Sequence, residues 1–260
     1  MTLALSTTPT TTGSRLSFAR TRDLHRFLAR EAFYPLALCS ILAIAFLITR
    51  TILTGALQYK FLVWNLFLAW VPYFFSLLAL RMESWRNRER GLKAFVWCCW
   101  LAMFPNAPYI ITDFVHMYEI RPLTWWYDLG MVLTFALSGV FLGIVSLRII
   151  HELVRAKFGP IVGWIFVTIV TTLSGFGIYL GRFKRFNSWD ILTRPYRLFH
   201  EFYIGLSDPF SHARPWGVTF MFGAMMLVTY IMFVSTASTR ATFAKSSNRR
   251  GFPVIPRDSH

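Results

Sequence analysis

Six apolar stretches alternate with short polar or basic segments along the chain, at about residues 33–49, 61–80, 92–112, 129–147, 160–180 and 216–236. A hydrocarbon core of ~30 Å is crossed by about 20 helical residues. In lipid, backbone N–H and C=O groups must find partners within the protein, which leaves helices and closed barrels as spanning elements. The runs therefore predict an all-α fold, a polytopic helical transmembrane bundle of six spans occupying 33–236. The flanks, 1–32 and 237–260, are basic and are expected to be partly disordered (the first) and disordered (the second).

The third stretch departs from a plain span. It is interrupted by Phe104-Pro105-Asn106-Ala107-Pro108-Tyr109 and then continues as Ile110-Ile111-Thr112-Asp113. Each proline removes a backbone donor and clashes with the preceding turn. If the helix stops at Phe104, only about 13 residues, or ~20 Å, remain, too few for the core. Pro108 disfavours helical angles at Ala107, so a second helix is expected to start there with Asn106 as its cap. A kinked helix healed by its neighbours and a break that faces a ligand both fit the pattern. Small residues offer close packing at Gly139 and Gly143, and again at Gly177 and Gly181.

Composition agrees with a membrane setting. Of 260 residues, 55% are hydrophobic and 15% charged, against about 25% charged in soluble domains. The net charge of +15 is spread through the gaps between runs, so it does not form the basic fold of a nucleic-acid binder. With the N-terminus inside, 18 of the 27 basic residues fall on the cytoplasmic side and nine on the other. By the positive-inside rule this places both termini in the cytoplasm of an inner-membrane protein. Six of the nine outer charges crowd into 181–215, a segment rich in aromatics. Asn187-Ser188-Trp189-Asp190 there reads as the start of an interfacial helix reaching about residue 206. Cys39, Cys98 and Cys99 lie inside apolar runs and are expected to pack as small hydrophobes.

Two constellations could carry chemistry. Asp113, His116 and Glu119 recur at i, i+3 just after the break, where an acid beside a histidine can hold a substrate or relay a proton. Arg182 and Arg185 share the same spacing, and paired guanidinium groups suit a phosphate or carboxylate. The six-span topology brings the two segments to one side, with Asp113, Glu119 and Asp128 facing Arg182 and Arg185. His151-Glu152 and His200-Glu201 read as loop or interfacial pairs. No nucleotide-binding glycine loop, zinc-protease motif or serine-hydrolase elbow is present.

The stretch from Phe104 to Asp113, followed by His116, Trp126 and Asp128, resembles the hallmark of a bacterial membrane-protein family, domain-of-unknown-function family 1361. Gly177-Ile178-Tyr179-Leu180-Gly181-Arg182-Phe183, continuing to Asn187-Ser188-Trp189-Asp190, is similar to its second hallmark. The resemblance extends over about residues 40–235 and implies a polytopic inner-membrane protein. It brings no catalytic residues with it. The expected site is an outward-facing polar pocket lined by Asn106, Tyr109, Asp113, His116, Asp128, Arg182, Arg185, Asn187 and Asp190. It would take an anionic lipid headgroup or small anionic solute, for transport or modification, without metal or cofactor. The alternatives are an ion-pair latch built from the same residues in a structural or assembly protein, and a membrane-embedded hydrolase or transferase using His116 and Asp113 as base.

Overall fold

The computed structural model describes residues 23–83, 90–119, 125–186, 196 and 213–249, with backbone alone at 118–119, 213–214 and 237–249. Among these residues there is no strand. The helices are α1 (Phe33–Thr54), α2 (Lys60–Met82), α3 (Arg90–Met103), α4 (Asn106–Tyr109), a 3-10 helix (Ile110–Glu119), α5 (Trp125–Phe158), α6 (Pro160–Phe183) and α7 (Ala213–Arg249). Six segments are long and apolar enough to cross a membrane, and one of them, Arg90–Met117, is assembled from α3, α4 and most of the 3-10 helix. The apolar runs become helices because a helix satisfies its own backbone in lipid. Large apolar side chains such as Leu38, Ile52, Trp64, Phe67 and Phe95 point outward, as a hydrocarbon solvent permits.

The 34-residue α5 is the central helix, packed against α1, α2, α4, α6, α7 and the 3-10 helix. It runs past its expected end at 147 because Ile149, Ile150 and Val154 continue its buried face. Tyr127 docks it on α1 through a 2.8 Å bond to the Phe46 carbonyl. Pro72 lies inside α2, and neighbours on α5 and α3 serve the backbone there. Ser146 donates to the Pro72 carbonyl at 3.0 Å and accepts from Trp100 Nε1 at 2.9 Å. Other hydroxyls bond back to their own helix, as Thr134, Ser138, Thr171 and Thr229 do. The backbone of α7 runs on through 237–249, within the segment expected as a tail.

The proline break is gripped on two sides by the two glycine pairs. On α5, a methyl at Gly143 would lie 3.2 Å from Ala107 Cβ, and one at Gly139 would collide with the Ala107 carbonyl oxygen. On α6, a methyl at Gly177 would lie 2.7 Å from Pro105 Cβ and Cγ, and one at Gly181 3.0 Å from the Tyr109 ring. Both pairs are real contacts, and their common partner is the broken segment. At Gly139 and Gly177 only hydrogen fits without a shift, and at Gly143 and Gly181 a methyl would be tight, so the break packs closely between α5 and α6.

Three expectations need correcting here. Asn106 is the first residue of α4, not its cap; Pro105 holds the cap position without a side-chain bond. Asn106 Nδ2 instead donates backward to the Met103 carbonyl at 2.9 Å, because the prolines leave carbonyls, not only N–H groups, in need of partners. His151 is not in a loop. It is buried on α5, with Nδ1 2.7 Å from the Tyr230 hydroxyl. Cys98 is exposed on the bundle's apolar exterior and Cys39 and Cys99 are half-buried; all three are free thiols. His200-Glu201 and the expected interfacial helix lie outside the described residues, apart from Tyr196.

Candidate functional site

The ends of α1 and α6 and the starts of α2 and α5 gather at one end of the bundle, together with the 3-10 helix. A 3-10 helix repeats every three residues, so side chains at i and i+3 eclipse. That local geometry stacks Asp113 and His116 on one edge more closely than an α-helix would. Asp113 is 1% exposed. Its Oδ2 accepts a 2.7 Å bond from Asn65 Nδ2 on α2, and its Oδ1 lies 3.5 Å from Arg182 Nη1 on α6. The two expected constellations therefore touch through Asp113 and Arg182.

Arg182 serves more than its acid. Nη1 also lies 3.2 Å from His116 Nε2, and Nη2 donates to the Thr112 carbonyl. A guanidinium can only donate, so His116 Nε2 is the acceptor. The Phe61 ring meets His116 edge-on with centroids 4.8 Å apart. The Tyr109 ring lies 5.8 Å below the guanidinium carbon of Arg182, within cation–π range.

Arg185 does not extend the helix face of Arg182 as its spacing suggested. Helix α6 ends at Phe183, and Arg185 sits beyond it at φ 55°. The Leu180 carbonyl accepts from Lys184 N and Phe186 N, both at 3.1 Å, with Arg185 turned out between them. Glycine is the usual residue for a left-handed position at a helix end. Here an arginine holds it, with its side chain exposed. Asn187 and Asp190 lie outside the described residues, and Glu119 is described as backbone only.

Asp128 is held by a partner that the sequence reading did not pair with it. Arg50, near the end of α1, places Nε 2.9 Å from Asp128 Oδ1 and Nη2 3.4 Å from Oδ2. The same guanidinium reaches the Gln58 side chain at 3.2 Å and the Ala56 carbonyl at 3.4 Å, and lies 4.5 Å over the Tyr59 ring. This second node ties α1, the α1–α2 turn and α5 together. Arg50 could have been noticed as the first charge after a long apolar run. Asn65 could have been noticed as the lone amide in its span. Neither signal says which partner is met. Among the described residues no group of acids, histidines and cysteines has metal-site geometry.

No curated protein and no solved structure matches the chain. The family described as "Protein of unknown function (DUF1361)" matches residues 64–229, a stretch that begins at Trp64 beside Asn65 and takes in the break, the 3-10 helix and Arg182. The chain belongs to the DUF1361 family.

Proposed function

We propose that this multi-pass protein binds an anionic lipid headgroup or a small anionic solute at the Arg182 end of the bundle, for transport or modification. The single observation behind this reading is an asymmetry of exposure. The Arg182 side chain is 16% exposed while that of its partner Asp113 is 1% exposed. The cation reaches the surface and the acid beneath it does not. Arg185 and Lys184 are exposed close by, so the accessible rim carries positive charge. A guanidinium at such a rim presents a forked set of donors to a carboxylate or phosphate.

The charge distribution supports an inner-membrane setting with cytoplasmic termini, in which this end faces outward. In that arrangement, basic cytoplasmic segments at 1–32 and 237–260 flank the transmembrane domain at 33–236. The test is a binding titration of full-length protein in detergent against inorganic phosphate, and separately against phosphatidylglycerol with phosphatidylcholine as the control. Arg182→Ala and Arg185→Ala should each weaken binding while the protein stays folded. Equal binding by wild type and both variants would sink the reading.

A second reading has its own support. Both oxygens of Asp113 have internal partners, Asn65 and Arg182, as in a closed latch joining α2, the broken span and α6. In that case Arg182→Ala would lower membrane abundance and thermal stability, with no binding to lose.

A further inference from the structure

We propose that Asn65 sets the anion affinity of the Arg182 site by holding Asp113 back, so that an incoming phosphate oxyanion exchanges with Asp113 at the guanidinium. This rests on the anion-binding reading above and adds to it a residue on a different helix. It also adds a competitor built into the chain.

The geometry carries it in three steps. First, the carboxylate's short bond is to the neutral amide, not to the cation. Asn65 Nδ2 is 2.7 Å from Oδ2, whereas Arg182 Nη1 is 3.5 Å from Oδ1. Charge-assisted hydrogen bonds normally close to about 2.7–2.9 Å.

Second, the same chain shows what a committed pair looks like. Arg50 meets Asp128 at two points, with side chains 6% and 0% exposed. Arg182 meets Asp113 at one point, with its own side chain reaching solvent. Two ion pairs at one end of one bundle have therefore been built to different tightness.

Third, exchange costs Asp113 its longer contact and leaves its shorter one in place. The Thr112 carbonyl and His116 Nε2 keep the guanidinium in place from within the 3-10 helix. Asp113 Oδ1 gives up Arg182 while Oδ2 keeps its bond to Asn65, so the buried carboxylate retains one partner and the penalty of an unpartnered acceptor is reduced. Arg182 alone trades a long internal contact for an external anion. Without Asn65, the carboxylate is free to turn fully onto Arg182 and compete with the ligand.

The experiment uses full-length protein in detergent, titrated with inorganic phosphate in one arm and with phosphatidylglycerol against phosphatidylcholine in the other. The arm in which wild type binds identifies the source of the oxyanion. In that arm Asn65→Ala should weaken binding on the order of tenfold, the scale of one hydrogen bond to a charged group. Asp113→Asn should tighten it by a similar factor, since the competitor's charge is gone. Opposite signs for two residues that touch each other are the signature. Unchanged or tighter binding by Asn65→Ala overturns the role given to Asn65. If that variant fails to fold, Asp113→Asn decides alone: tighter binding supports the exchange, and unchanged or weaker binding overturns it. Arg182→Ala separates the two levels. Should it bind as wild type does, or should wild type bind in neither arm, the underlying anion reading is wrong. Should it lose binding while both Asn65→Ala and Asp113→Asn leave it unchanged, only the Asn65 proposal falls.

Discussion

Arg50 and Asp128 close a two-point ion pair across 78 residues of chain, with Nε 2.9 Å from Oδ1 and both side chains nearly sealed from solvent. Removing one partner of a buried pair leaves the other's charge uncompensated, at about 3–5 kcal/mol. Asp128→Ala and Arg50→Ala should each lower the thermal midpoint in detergent sharply. The double variant should be less damaged than the two losses added together, because the interaction between the two charges is counted in each single loss. Additive losses in a double-mutant cycle would contradict a direct pair.

The grip on the broken segment predicts a contrast between glycines. At Gly177 a new methyl would lie 2.7 Å from Pro105 Cβ and Cγ. A proline ring cannot swing aside, so α4 and α6 must part, and overpacking of this kind costs about 1–3 kcal/mol. Gly177→Ala should therefore destabilise the protein. Gly130→Ala is the control, since nothing lies within 4 Å of its added methyl. Alanine there should hold or raise stability by about 0.5–1 kcal/mol, as in a helix interior with room for the methyl. Equal thermal midpoints for the two variants would contradict the close approach.

Arg185 allows stability and binding to be pulled apart. Its φ of 55° is a conformation that costs an L-residue about 1–2 kcal/mol and glycine almost nothing, although glycine's extra chain entropy offsets part of the gain. Arg185→Gly should leave the thermal midpoint level or higher while weakening anion binding at the rim. A rise in stability with binding intact would assign this arginine no part in the site.

Topology is open to a direct check. Reporter fusions after Leu123 and after Ser207 should both read outside, since the charge count puts the two site-bearing segments on that face. A cytoplasmic signal at either position would separate the break from the Arg182 segment by the full membrane.

How much of this was legible in advance varies by residue, for physical reasons. Span counting brought Asp113 and Arg182 to one face, along with Glu119, Asp128 and Arg185, because a membrane forces each span's ends to opposite faces. Arg50 with Asp128 did not follow. Both lie near the same face, but which acid meets which base depends on how α1 rotates onto α5. Asn65 was visible as a polar residue in an apolar run, yet a lone amide has several possible partners, and its choice of Asp113 is made by the packing of α2 on the 3-10 helix. Asn106 was assigned the wrong end of the break. Its residue type signals a need for a local hydrogen bond and says nothing about whether a donor or a carbonyl lies within reach.

By itself, the sequence determined the solvent, the helical class, the number of spans and the place where one span must break. Those follow from local quantities: hydrophobic length, backbone donors removed by proline, and charge between runs. The tertiary structure decided how the break is accommodated, wedged against Gly139 and Gly143 on one side and Gly177 and Gly181 on the other. It also decided that one ion pair is closed at two points and the other left long. Those differences arise from helix rotation and sub-ångström approach, which are set by all neighbouring side chains together rather than by any one stretch of chain.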